Sequence, residues 1–200
     1  LSLSGGGNGQ SFRLSDICRG NRISELAFYF PLKRLTRDNL RILFQEISRE
    51  DPGTVPDSWD LEMERLSFSP IRGWLRGFID LVFVIDGRYY LLDWKSNFLG
   101  ADPSGYSPEA LKSVMVRKHY ILQYHLYALA LHAYLKQRLP GYRVERHFGG
   151  IYYLFLRGID PSRGEKTGVY FDRPSEARLT ALYDGLIEKN PAERRNADVA

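Results

Sequence analysis

The stretch GFIDLVFVIDGRYYLLDWKSNFLG, residues 77–100, consists of two apolar runs joined by Asp86-Gly87. An Asp-Gly dipeptide between runs of β-branched and aromatic residues is the strongest short signal for a β-hairpin with a two-residue turn. Such a turn pairs Ile85 with Arg88, and the register of every other pair follows. The sequence therefore predicts a hairpin over residues 73–95 that is apolar on both faces, as central strands are.

The predicted register brings two acids and a lysine together. Asp80 faces Asp93, and Lys95 shares their face because side chains two residues apart on a strand point the same way. The same register sets Phe78 opposite Lys95 and puts Ile79 on the other face. Like charges at facing positions destabilise a sheet. The two acids could share a proton, pair with basic groups or bind a cation, and Mg²⁺ or Mn²⁺ is the divalent ion that oxygen ligands favour.

The plainer alternative is that both acids lie at solvent-exposed strand ends, with the lysine as an ordinary salt-bridge partner. The metal hypothesis instead predicts a reaction. An amine beside a metal-bound carboxylate pair can orient or deprotonate a water and stabilise the charge that develops on a phosphate. The net charge of +4 and the pI near 9.1 suit a phosphate-bearing partner such as DNA, although a scattered basic surface is as common.

The remaining pattern predicts an α/β fold with a mixed central β-sheet flanked by α-helices. We expect residues 1–10 to be a flexible leader and residues 11–200 to form one domain of a longer chain, since the sequence begins with Leu1. Residues 50–70 are expected to form a loop. The predicted elements are a strand over 23–31 that ends at Pro31, a helix over 36–49, a helix from Ser107 to about 139, a strand over 149–158 and a helix over 175–188.

Cysteine content and hydropathy limit the classes of protein. The single cysteine, Cys18, excludes an internal disulfide and favours a reducing compartment, so we expect a cytoplasmic protein. No apolar run approaches the roughly 18 residues that a membrane span needs. The glycine-rich start is not followed by Gly-Lys-Ser or Gly-Lys-Thr, which argues against a phosphate-binding P-loop.

The central stretch resembles the nuclease domains of RecB-type exodeoxyribonuclease V subunits, which belong to the PD-(D/E)XK nuclease superfamily. The likeness continues through YILQYHLYALALHAYL, residues 120–135, and HFGGIYYLFLRGID, residues 147–160. It thins to ELAFYFP, residues 25–31. The resemblance implies the restriction-endonuclease-like fold of that superfamily and Mg²⁺-dependent hydrolysis of DNA without sequence preference, in double-strand break repair and recombination.

The resemblance also implies roles for individual residues. Asp80 and Asp93 would be metal ligands, together with the backbone carbonyl of Trp94, and Lys95 would be the catalytic lysine. Glu25 matches an acid of the family's active site, although its local sequence alone favours an exposed glutamate at a strand end.

Gln123 and Tyr127 match the family's Gln-x-x-x-Tyr motif. Residues at i and i+4 of a helix share a face, so this pair could point at the site or line the contact between helix and sheet. The sequence departs from the family at one position. The family has a histidine ligand upstream of the glutamate strand, whereas the first histidine here is His119.

The family resemblance implies RecC-like and RecD-like partner subunits and an interaction with the RecA recombinase. It also leaves an alternative function. If the absent histidine abolishes metal binding, the chain could act as a protein-docking module that helps to load RecA. A site-specific, restriction-type nuclease has less support, because the sequence shows no added recognition domain.

Overall fold

A computed structural model describes residues 1–5, 11–52, 59 and 69–188 of the chain. Two short strands, β1 (Ser2–Ser4) and β2 (Ser11–Arg13), pair with each other. The main sheet of the described residues has five strands in chain order: β3 (Arg22–Leu35), β4 (Ile71–Ile85), β5 (Arg88–Lys95), β6 (Phe148–Phe155) and β7 (Val169–Asp172). Strands β5 and β6 are parallel, and the other neighbours are antiparallel.

The helices pack on this sheet, and they confirm the predicted α/β class with a mixed sheet flanked by helices. They are α1 (Arg37–Glu50), α2 (Pro108–Arg117), α3 (Tyr120–Arg138), α4 (Val144–His147) and α5 (Glu176–Leu186). The larger core cluster joins apolar residues of α1, α2, α3 and α5 to one face of the sheet. A smaller cluster covers the other face of β4, β5 and β6 and includes Leu3 of β1. No helix in the described ranges is long and apolar enough to cross a membrane.

The predicted hairpin and its register are confirmed from the turn up to the pair Leu81 and Leu92. Asp86 and Gly87 have φ values of 50° and 74°. Positive φ at both central residues is what a type I′ turn requires, and this turn matches the twist of the flanking strands. Ile85 therefore pairs with Arg88, as predicted.

The predicted alternation of faces is wrong beyond the pair Leu81 and Leu92, where the β4–β5 ladder ends. Ile79 is buried in the larger core cluster, whereas Phe78 is exposed and does not pair with the end of β5. The change of faces coincides with an irregularity in the neighbouring strand β3. Glu25 adopts a left-handed φ of 54° and interrupts the β3–β4 ladder, so the side chains on its two sides point to opposite faces.

Helix α1 agrees closely with the sequence pattern. The hydroxyl of Thr36 accepts a hydrogen bond from the backbone N–H of Asn39, which satisfies one of the free donors at the helix start. The residues buried by this helix are Leu40, Leu43, Phe44 and Ile47, which recur at helical spacing.

The single long helix expected from Ser107 to about residue 139 is wrong in one respect. Ser107 does cap its start, since its hydroxyl accepts a hydrogen bond from the N–H of Ala110. The helix then breaks into α2 and α3 at His119, which has φ of 56°. A left-handed residue cannot continue a right-handed helix, so the chain changes direction there.

Two boundary predictions also need correction. Strand β3 continues through Pro31 to Leu35, because β3 is the edge strand of the described sheet and an edge tolerates a missing N–H. The leader expected over residues 1–10 is ordered at Ser2–Ser4, where Leu3 is fully buried. Residues 6–10 and 189–200 lie outside the described residues.

Other expectations meet the structure only in part. The loop expected over 50–70 lies mostly outside the described residues, although Trp59 is described and packs against Phe44. The strand expected over 149–158 is β6, which ends at Phe155, and the helix expected over 175–188 is α5. Strand β7 and the short helix α4 were not predicted.

Candidate active site

An acid and a lysine lie buried side by side at the end of β5. Asp93 is 3% exposed and Lys95 is 9% exposed, and the lysine Nζ lies 2.7 Å from Oδ2 of the acid. The i, i+2 spacing on a strand brings the two side chains to one face. Two charges this far from water persist only because each compensates the other.

Asp80 lies where β4 and β5 separate. Its carboxylate accepts a hydrogen bond from the backbone N–H of Trp94 at 2.9 Å. The side chain thus takes the place of a ladder partner at the point where the strands cease to pair. Burial raises the pKa of the Asp93 carboxyl; ion pairing with Lys95 opposes this shift, and the nearby charge of Asp80 adds to it.

Helix α3 supplies the second contact of the lysine. Lys95 donates a hydrogen bond to Oε1 of Gln123 at 2.8 Å, and Nε2 of Gln123 donates to the hydroxyl of Tyr127 at 2.9 Å. The i, i+4 spacing places both residues on the helix face that meets the sheet. The structure therefore brings the Gln-x-x-x-Tyr pair to the Asp-x-Lys pair.

Two tyrosines at this site were not identified from the sequence. The ring of Tyr120 lies 4.0 Å from Lys95 Nζ and that of Tyr153 lies 5.0 Å away, both within range of a cation–π interaction. The hydroxyl of Tyr153 also donates to Oε1 of Gln123 at 3.3 Å. Tyr153 reaches the site because parallel strand β6 pairs it with Asp93, a contact that no local pattern signals.

Glu25 is exposed and does not join the acids in a ready-made ligand cluster. Within the described ranges, no three His, Cys, Asp or Glu side chains are grouped to hold a metal ion. Glu25 itself has a left-handed backbone conformation, and the residues on either side of it in β3 pair with the residues on either side of Asp80 in β4.

The residues present do fit a Mg²⁺ ion. Such an ion usually takes one or two protein carboxylates, and water and substrate phosphates complete its shell. Oδ2 of Asp93 is buried and, despite its 2.7 Å ion pair with Lys95, accepts no hydrogen bond of favourable geometry from the described residues. A buried carboxylate oxygen with unused acceptor capacity, one strand away from a second acid, is a suitable cation ligand.

Two histidines of α3, His125 and His132, are buried away from this cluster. His125 is buried in the core against Phe44, and burial lowers its pKa to about 3. His132 contacts Tyr142, and burial lowers its pKa to about 4. A ring kept neutral by burial in the core is a structural feature.

A mixed sheet that presents Asp and Asp-x-Lys where its central hairpin opens is the arrangement of a nuclease fold. Residues 19–198 match the family model of the PD-(D/E)XK nuclease superfamily, and the chain belongs to this superfamily.

The chain is also similar to curated RecB subunits of the RecBCD enzyme. It is 43% identical to the subunit of Escherichia coli K12 over 175 residues, covering 87% of this chain and 14% of the relative. The Haemophilus influenzae subunit is 42% identical over 176 residues, with 87% and 13% coverage. The subunit of Mycobacterium tuberculosis H37Rv is 34% identical over 184 residues, with 83% and 16% coverage. The chain thus spans a small part of the length of these relatives.

Proposed function

We propose that this chain is a Mg²⁺-dependent nuclease domain that hydrolyses DNA phosphodiester bonds without sequence preference, with Mn²⁺ as an alternative metal. The observation that carries the proposal is the buried ion pair of Asp93 and Lys95 beside Asp80. Membership of a nuclease superfamily supports it. A docking module has no use for a buried lysine paired with one of two neighbouring acids, so catalysis is the favoured alternative.

Asp80, Asp93 and the backbone carbonyl of Trp94 would hold the metal. A bound divalent cation polarises a phosphoryl group and lowers the pKa of a bound water. One of these ligands is held in place in the metal-free chain, because the Trp94 N–H donates a hydrogen bond to the Asp80 carboxylate. A ligand that is held in place before binding loses little freedom on binding, which favours affinity.

Lys95 is the group that would act on the phosphate. An ammonium has three N–H donors, and one of them donates to Gln123 while Asp93 compensates the charge from 2.7 Å. A remaining N–H can donate to a phosphate oxygen or to the attacking water, where it stabilises the negative charge that develops in the transition state. Gln123, itself held by Tyr127, is a positioning residue for the amine.

Glu25 completes the proposed set of acids. Its φ of 54° is an unfavourable backbone conformation for a residue with a Cβ, and such strain is concentrated at functional sites. From an exposed position close to the end of the paired hairpin, its carboxylate could reach a water or a metal hydration shell.

The names and lengths of the relatives support the proposed biological setting. The matched relatives are named as RecB subunits of RecBCD, and this chain spans 14% of one of them. We infer that the domain works in the cytoplasm with RecC-like and RecD-like subunits, and with RecA, in double-strand break repair. Basic residues such as Arg76 and Arg157 would bind phosphates, so DNA affinity should fall with salt.

The test is degradation of linear single-stranded DNA in Mg²⁺, with EDTA as the metal-free control. Lys95→Ala should abolish cutting, whereas Lys166→Ala, an exposed lysine outside the site, should not. Equal cutting by Lys95→Ala and the unmodified chain would refute the assignment of the catalytic amine. Absence of Mg²⁺-dependent cutting by the unmodified chain would refute the nuclease proposal for this domain.

A further inference from the structure

The β3–β4 ribbon exposes an unusual face next to the site. Tyr29, Trp74 and Phe78 are 61%, 59% and 47% exposed, and Arg76 lies between the two aromatic residues of β4. We call these four residues the aromatic face. Large aromatic side chains are normally well buried, and a group of exposed ones indicates an interaction surface.

The aromatic face is already organised for stacking. The rings of Tyr29 and Trp74 lie parallel, with centroids 4.3 Å apart and an interplanar angle of 2°. The guanidinium of Arg76 lies 5.4 Å from the centroid of the Phe78 ring. Tyr29 pairs with Arg76 across the two strands, so all four side chains project from the same side of the ribbon.

We propose that the aromatic face binds single-stranded nucleic acid by base stacking and directs the strand to Asp80. The inference deepens the proposed nuclease function and rests on it. Phe78 precedes Asp80 by two residues and Trp74 precedes it by six, which corresponds to about 7 Å and about 20 Å along an extended strand. Along β4, the stacking surface thus ends about 7 Å before the proposed metal ligand.

The charge of this surface favours nucleic acid over a protein partner. Arg76 makes no ion pair with any residue that the structure describes, so its charge is available to a phosphate. Arg72, further along the same strand, is exposed, and its ion pair with Glu188 at 3.5 Å is weak in water. Aromatic rings interleaved with arginines are how proteins bind single strands without reading sequence.

Stacking also specifies the form of the nucleic acid. Bases in a duplex are already stacked on each other and cannot lie on a protein ring. The aromatic face should therefore prefer a single strand to a blunt duplex. This preference agrees with backbone cleavage, which needs no recognition of individual bases.

The experiment measures fluorescence anisotropy of a labelled oligothymidylate with the whole chain in EDTA, so that binding is separated from cutting. Trp74→Ala and Phe78→Ala should each weaken binding roughly 5- to 150-fold, the effect of removing one stacking platform. Trp74→Phe should retain most of the affinity. Arg76→Gln should weaken binding and reduce its dependence on salt.

Matched controls come from α1, where Ile42 and Arg41 are exposed but lie outside the ribbon. Ile42→Ala and Arg41→Gln should bind as the unmodified chain does. Because all substituted side chains are exposed, the variants should keep the circular dichroism of the parent. Folded Trp74→Ala and Phe78→Ala variants that bind with unchanged affinity would overturn the inference, as would equal affinity for a blunt duplex.

The design also separates this inference from the nuclease proposal. If the chain binds the oligonucleotide through Trp74 and Phe78 in EDTA but does not cut it in Mg²⁺, the aromatic face stands and the catalytic proposal fails. If the unmodified chain cuts, and the folded Trp74→Ala variant binds and cuts as well as the unmodified chain does, the catalytic proposal stands and the inference about the aromatic face fails.

Discussion

Replacing Lys95 by Met should lower the free energy of unfolding of the metal-free protein by about 3–5 kcal/mol, the usual cost of breaking a buried ion pair from one side. Methionine keeps much of the volume of the lysine stem but removes its charge. The Asp93 carboxylate, 3% exposed, would then lack the cation that lies 2.7 Å away in the intact site. The nearby charge of Asp80 makes the unpaired state less favourable still.

The loss should be recovered when the acid is neutralised as well. In the double variant Asp93→Asn, Lys95→Met, neither residue carries a charge, and replacement of a whole buried pair by neutral groups is often close to neutral in stability. We therefore expect the double variant to be at least about 2 kcal/mol more stable than the sum of the two single changes, as a thermodynamic coupling between residues in contact.

The assay is urea unfolding of the four proteins in EDTA near neutral pH, followed by circular dichroism. The exposed ion pair of Arg163 and Asp160, at 3.3 Å, provides the control. Arg163→Met should change the free energy of unfolding by less than about 1 kcal/mol, because water screens that pair. If the two single changes add to within about 0.5 kcal/mol of the double, Asp93 and Lys95 are not coupled and the reasoning is refuted.

Two further changes test the hydrogen bond between Gln123 and Lys95 and the buried histidine of the core. Gln123→Leu removes an acceptor of Lys95 and should slow single-turnover cutting roughly 10- to 100-fold, the value of a hydrogen bond to a charged group; an unchanged rate would show that Asp93 suffices to position the amine. Burial lowers the pKa of His125 to about 3 in the folded protein, so as the pH falls this histidine is protonated in the unfolded chain before it is protonated in the folded one. The free energy of unfolding should therefore fall by up to roughly 5 kcal/mol as the pH drops from about 7 towards 3. His125→Leu should flatten the slope of unfolding free energy against pH, with the weaker contribution of His132 remaining; an equally steep slope would exclude His125 as its source.

The hairpin could be predicted because its information is local. Asp86-Gly87 fixes the turn type, the turn fixes the register, and the i, i+2 spacing on β5 brings Asp93 and Lys95 to one face. Helix α1 was predictable for the same reason, since its capping threonine and its apolar spacing lie within one stretch of sequence. Short-range rules are sufficient where a single element determines the geometry.

The rest of the site depends on residues that are distant in the sequence. The change of faces beside Asp80 coincides with a left-handed residue on another strand, Glu25, and no pattern within β4 announces it. Tyr153 reaches Lys95 only through the parallel pairing of β5 with β6. The break at His119 follows Arg117 and Lys118 with no glycine or proline, so the strongest sequence signals for a helix end are absent.

His119 also determines how the position of Gln123 beside Lys95 depends on the chain before α3. In an unbroken helix with 3.6 residues per turn, each inserted residue would rotate all later side chains by about 100°, and Gln123 would turn away from Lys95. One left-handed residue uncouples the angular phase of α3 from that of α2. Insertions in α2, or in the loop before it, can therefore be absorbed at this joint, while packing against the sheet alone sets the direction in which Gln123 and Tyr127 point.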